Sequence, residues 1–154
     1  MSVLMSEELV IFTALINLSV SCFMLGVIWL VQLVSYPLFS YVNSKDFTKY
    51  HSVHMEKITP LVSIVMVLEV VVAFGLLFYT PTISGFILAI NLSLVGFIWI
   101  STAFLQIPYH RSLAFPTNRI FYTKKLINTN WVRTGLWTLK SLLGLGLVIS
   151  LVGV

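Results

Sequence analysis

The chain has 154 residues, of which 58% are hydrophobic and 9% charged, with a formal net charge of +4. An ordinary soluble domain carries roughly 25% charged residues, so these proportions exclude a water-soluble globule and leave lipid as the solvent. The single cysteine, Cys22, excludes an internal disulfide and a CxxC redox pair. The basic residues gather in particular loops, which argues against a nucleic-acid partner.

Crossing a bilayer takes about 20 apolar residues as a helix. Four segments of the single domain 1–154 qualify, at about 9–34, 59–80, 83–107 and 130–152. The first follows Glu7 and Glu8 instead of a basic leader and lacks a small-x-small cleavage site, so it is expected to stay as a spanning helix that can run past Pro37. Residues 44–58 read as an amphipathic helix leading into the second span, with Ser44 as its N-cap. Lys45, Lys49, Ser52 and Glu56 fall on one face; Phe47, Tyr50, His54 and Ile58 fall opposite, with His51 at their edge. Pro81 is expected to end the second span, and the short TPTISG turn makes spans two and three antiparallel neighbours. Pro108 is expected to end the third. A long link at 109–129 then lies along the membrane surface before the fourth span starts near Asn130.

These elements predict an all-α polytopic membrane protein: an antiparallel bundle of four transmembrane helices with an amphipathic cytoplasmic extension before the second. Lys45, Lys49 and Lys57 lie in the first link, and Arg111, Arg119, Lys124 and Lys125 in the third, with Arg133 just inside the fourth span. Lys and Arg stay on the cytoplasmic side. Both termini are therefore expected on the non-cytoplasmic side of the cell membrane, the inner membrane in a Gram-negative cell.

Turning each span by about 100° per residue separates its polar residues from its apolar ones. Asn130, Arg133, Thr134, Trp137, Lys140, Ser141 and Gly144 share one side of the fourth span. Asn91, Thr102 and Gln106 align on the third, with Trp99 and His110 nearby; Asn17, Ser21, Gln32, Ser35 and Tyr36 align on the first. The second offers Glu69, on the azimuth of His51 if the helix passes Pro60 unkinked. Polar groups facing hydrocarbon are costly, so the stripes are expected to converge on a shared interior. Glu69 and Lys140 each lie roughly 15 Å from the cytoplasmic entry at about 1.5 Å per residue. A buried Glu69–Lys140 pair is therefore expected, with Gln32 and Trp137 close by.

Glu69 and Lys140 are the candidate catalytic groups, and Gln32, Gln106, Arg133 and Trp137 the candidate groups for holding a ligand or cofactor. The pair serves either helix packing alone or ligand binding and proton movement; the sequence leaves both open. Arg133 either snorkels to the interface or stays inside, where its positive excess would suit an anionic head group. His51 and His54, at i and i+3, are candidate ligands for a metal ion or a haem together with His110, and the alternative is hydrogen bonding to loop carbonyls. About 27 Å of helix separates His51 from Glu69, so one metal ion cannot serve both. Ser19, Cys22 and Gly26 form a small-residue stripe that would allow helix contact in a homo-oligomer. No HExxH, GxSxG, phosphate loop or dinucleotide-binding glycine pattern is present.

The segments WLVQLVSYPLF (29–39), YHSVHMEKITPLV (50–62), FLQIPYHRSL (104–113) and NWVRTGLWTLK (130–140) resemble those of small four-helix bacterial membrane proteins distantly similar to the anthrone-oxygenase-like membrane family. The resemblance implies a four-helix bundle with its site in the cytoplasmic half and, if it extends to chemistry, oxidation of a lipophilic aromatic molecule. Three functions remain in competition. One is a redox or oxygenase-like enzyme acting on a lipophilic small molecule, another an assembly subunit of a membrane complex, and the third a proton-coupled carrier subunit working as an oligomer.

Overall fold

The computed structural model describes residues 7–79, 83–115 and 117–153. Among them there is no strand, and four helices are long and apolar enough to cross a membrane. They are α1 (Glu7–Leu38), α2 (Phe47–Leu76), α3 (Gly85–Leu113) and α4 (Arg119–Val152). At about 1.5 Å per residue each is some 45–50 Å long, against a hydrocarbon core of about 30 Å. The helices therefore run well past the apolar slab.

Consecutive helices pack side by side, and α1 closes the ring against α4 through the most extensive contact in the bundle. Asn17 meets Lys140 and Gln32 meets Asn130, so α1 and α4 are antiparallel. The core is layered along the bundle axis. Val10, Ala14, Leu76, Leu88 and Leu147 fill one end. Met24, Ile28, Met66, Ile98 and Trp137 fill the middle. Val31, Tyr36, Phe39, Phe47, Leu113 and Leu126 fill the end that carries the exposed basic residues. Polar side chains occupy the two levels between these plugs. Large apolar residues such as Phe12, Phe23, Ile64, Val71, Phe97 and Leu142 face outward, as a bundle solvated by lipid requires.

Several boundaries differ from the sequence expectation, and the prolines explain most of them. Pro108 does not end the third helix, because a π-helical turn over Thr102–Gln106 precedes it and α3 continues to Leu113. The N–H of Ile107 bonds to the Thr102 carbonyl, five residues back. The wide turn makes room for a ring that cannot donate and would otherwise collide with a carbonyl. Pro37 is accommodated in the same way, by a π turn over Val31–Ser35 in which Tyr36 N–H bonds to the Val31 carbonyl. α2 runs straight on from the amphipathic segment and contains Pro60 within it.

Consequently the third link is short. α4 begins at Arg119 instead of near Asn130, so Phe121, Tyr122, Lys124 and Lys125 are helical and not part of a surface loop. Arg119 fastens this corner by donating to the Val42 carbonyl at 2.9 Å and lying over the Phe47 ring. Ser44 is not the N-cap of α2; Asp46 holds that position, without a side-chain capping bond. The inward face of α2 is centred on Phe47 and His51, which are buried, whereas Tyr50 is exposed. The α-helical part of α2 ends at Leu76 and passes into a 3-10 turn, Leu77–Tyr79. The expected stop at Pro81 lies outside the described residues.

Candidate functional site

The polar stripes of the four helices face one another across the bundle axis at two levels. At the deeper level Lys140 Nζ lies 3.1 Å from Glu69 Oε1, with both side chains excluded from the surface. α2 and α4 are diagonal partners, so these two long side chains meet in the middle of the bundle. The ammonium approaches Oε1 as an ion pair, off the line of a directed hydrogen bond. Trp137 Nε1 donates to the other carboxylate oxygen at 2.9 Å. Lys140 also donates to Ser21 Oγ at 2.6 Å and, at 3.4 Å, to Asn17 Oδ1. Ser21 spends its own proton on the Asn17 carbonyl, 2.7 Å away, leaving its lone pair for the lysine. Each charge is thus matched and its bonding capacity largely used, as burial in a low-dielectric interior demands.

The second level lies two turns nearer the basic end and centres on Arg133, which is 4% exposed. Its guanidinium stands over the Trp137 ring at 5.0 Å, and Nη1 donates to Asn130 Oδ1 at 3.3 Å. Arginine has no acceptor, so it forces Asn130 to present oxygen. Asn130 Nδ2 then donates to Gln32 Oε1 at 2.9 Å, and Gln32 Nε2 to the Ile127 carbonyl at 3.2 Å. No carboxylate is paired with Arg133 among the described residues, and its Nε has no partner.

From this cation a chain of aromatic groups runs toward the basic end. The Tyr36 hydroxyl is 2.9 Å from His110 Nε2, and His110 Nδ1 is 3.1 Å from His51 Nε2. Tyr36 also interacts electrostatically with Arg133. The two His110 bonds share one direction: with the phenol donating to Nε2, a neutral His110 carries its proton on Nδ1 and donates to His51. The His51 and His110 rings stack with centroids 5.3 Å apart, and His54 closes the cluster with its edge on Phe39. The three histidines do meet, but His110 spends both nitrogens on neighbours within this chain. Among the described residues no group of three or more His, Cys, Asp or Glu side chains is placed to hold a metal ion.

A cavity of about 480 Å³ opens beside this level. α2 supplies Met55, Ile58, Thr59, Val62, Ser63 and Met66, α3 supplies Thr102, Gln106, Ile107, His110 and Arg111 with Ala114 at its C-cap, and α1 closes the back. Arg133 is the lining residue contributed by α4. The exposed lining residues Thr59, Ser63, Ile107 and Arg111 belong to α2 and α3, so the mouth lies between those helices. Volumes of 300–1,000 Å³ with mostly apolar walls and a few converging polar groups are typical of small-molecule sites.

The site residues expected from the sequence therefore divide. Gln106, His110 and Arg133 line the cavity; Glu69, Lys140, Trp137, Gln32, His51 and His54 do not. Gln32 is not beside the ion pair but at the Arg133 level, held by Asn130. Asn17 and Ser21, the true companions of Lys140, were visible as a stripe on α1 but carried no signal of which charge they serve. Tyr36 as the link between Arg133 and His110 was equally hidden, because it depends on how far the π turns rotate α1 and α3. Ser19, Cys22 and Gly26 are exposed on the outer face of α1. The chain matches no protein-family model, no curated protein and no solved structure.

Proposed function

We propose that this integral membrane protein binds a lipophilic small molecule in the cavity between α2 and α3, with the basic end of the bundle facing the cytoplasm. The observation that carries the reading is the cavity itself: 480 Å³ of apolar wall leading to the polar side chains of Gln106, His110 and Arg133. A bundle that needed only to hold itself together would close this gap. The mouth opens sideways between two lipid-facing helices, so a molecule dissolved in the bilayer enters without crossing water. If the resemblance to the anthrone-oxygenase-like membrane proteins extends to chemistry, the bound molecule would be the substrate of an oxidation and this cavity its pocket.

The test is mass analysis of what leaves the membrane with the protein under gentle solubilisation. The expected result is a defined molecule retained in near one-to-one amount, and lost when Val62→Trp fills the cavity. A lipid-facing control, Ser19→Leu, should retain it. Recovery of only bulk lipids, in bulk proportions and equally from both variants, would overturn the reading.

The Glu69–Lys140 pair supports a different role. It does not line the cavity, and its polar atoms are engaged within the bundle. We assign it to helix registry, not to acid–base work on the ligand.

A further inference from the structure

Two pocket-lining side chains have buried polar atoms with nothing to bond to, and together they describe a head group. Arg133 is the first. The chain has five acidic residues. Glu69 is consumed by Lys140 and Glu56 by Lys57; Glu7 and Glu8 begin α1 at the far end, and Asp46 is exposed at the N-cap of α2. The bundle interior therefore holds two cations and one anion. Asn130, the Trp137 face and the Tyr36 phenol surround Arg133, but none carries a countercharge, and Nε is unpartnered. An uncompensated buried cation is strongly unfavourable.

Gln106 is the second. It is 2% exposed, and Nε2 donates to Thr129 Oγ1 at 3.2 Å. The Thr129 hydroxyl gives its own proton to the Lys125 carbonyl at 2.8 Å, so toward Gln106 it can only accept. That fixes the amide orientation and leaves Gln106 Oε1 as a buried acceptor without a donor. A ligand that satisfies both side chains must bring a negative charge for Arg133 and an O–H for Gln106.

From these two vacancies we infer that the ligand is an anionic amphiphile whose head group keeps a proton of its own, as a phosphate monoester monoanion does. This rests on the binding reading above and narrows it. Arg133 forms the charge-assisted bonds, for which a guanidinium fork and phosphate oxygens are well matched. Gln106 accepts the remaining P–O–H, and the tail lies against Ile58, Val62 and Met66 toward the mouth. Arg111 at that mouth adds a second positive charge on the way in. The head group can belong to a bilayer lipid or to a free single-chain amphiphile.

The experiment uses the full chain in phosphatidylcholine nanodiscs, with bound molecules counted by native mass spectrometry. The free-amphiphile arm compares dodecyl phosphate, methyl dodecyl phosphate and dodecanol near pH 5, where the monoester is chiefly a monoanion because its second pKa is about 6. The lipid arm adds phosphatidic acid to the discs. Dodecyl phosphate or phosphatidic acid should be retained roughly tenfold or more over dodecanol or phosphatidylcholine, and whichever is retained identifies the source. Arg133→Gln should abolish that preference. Gln106→Leu, which leaves every charge in place, should keep phosphate binding but erase the preference for the monoester over its methyl ester; it also carries the test if Arg133→Gln does not fold. Equal retention of dodecyl phosphate and dodecanol would overturn the anion assignment while leaving lipophile binding intact. Equal retention of monoester and methyl ester by the unaltered protein would overturn the role of Gln106. Failure to retain any probe, together with a cavity-filling variant that changes nothing, would overturn the binding reading itself.

Discussion

Glu69 and Lys140 cross the diagonal of the bundle to reach one another, and neither has water to fall back on. Removing one charge leaves the other stranded: Glu69→Gln keeps a hydrogen-bond acceptor for Trp137 but deprives the ammonium of its countercharge. The expected loss is about 3–5 kcal/mol of stability, read as reduced thermal resistance of the solubilised protein. Lys140→Met in the same chain should recover most of that loss, because the double variant leaves no stranded charge at this level. A double variant as unstable as the sum of the two singles would show that the charges do not act as a pair. This meeting was legible beforehand because it depends only on helical period and on depth, both of which are countable along a chain. The Arg133 level was less legible. Gln32 and Tyr36 face inward as the period of α1 indicates, but the partners they meet depend on the π turns, since one extra residue in a helical turn changes the azimuth of everything beyond it by roughly 100°.

At the scale of the helices, prolines and glycines decide how closely the elements approach. Pro108 reads as a stop signal, the usual meaning of proline in water-soluble helices, whereas the first span is free to run past Pro37, as it does. Inside a bundle the chain has little alternative to helix, so the backbone widens by one residue and continues. The same misreading turned the first three turns of α4 into a surface loop, since its mixed aromatic and basic sequence fits either description. Gly144 illustrates the opposite case, a residue whose inward position followed from the periodicity of α4. A Cβ placed there would meet Leu18 Cα at 3.5 Å and Asn17 Nδ2 at 3.6 Å, ordinary contact distances. Gly144→Ala should therefore fold normally, with equal or slightly higher thermal stability, helped by the better helix propensity of alanine. Gly144→Leu has no space and should force α1 from α4, opening the Lys140 level beneath Asn17. Its signature would be loss of monodisperse protein after solubilisation. If leucine is accepted without change, the α1–α4 contact is looser than these distances require.

The whole molecule is electrically lopsided, and that lopsidedness tests how it sits in the membrane. Of the nine Lys and Arg residues, Arg133 and Lys140 are committed to the interior. Lys45, Lys49, Lys57, Arg111, Arg119, Lys124 and Lys125 all lie on the end formed by the α1–α2 and α3–α4 connections. The end formed by the start of α1, the α2–α3 turn and the close of α4 carries none among the described residues. Translocating seven cations against a membrane potential that is negative inside is unfavourable, so the basic end should remain cytoplasmic. In a background where Cys22→Ser removes the native thiol, Ser84→Cys places a reporter at the exposed N-cap of α3, and Ser44→Cys places one at the basic end. A maleimide that cannot cross membranes should label the first in sealed right-side-out vesicles and the second only after the vesicles are opened. Inverted vesicles should exchange the two results. The opposite pattern would put Arg133 and the cavity in the outer leaflet, where any amphiphile would have to arrive from outside the cell. Moving the bias by placing lysines at Ser84 and its neighbours, while neutralising Lys45, Lys49 and Lys57, should produce mixed labelling. That response is expected only if loop charge, and not a feature of the bundle interior, sets the topology.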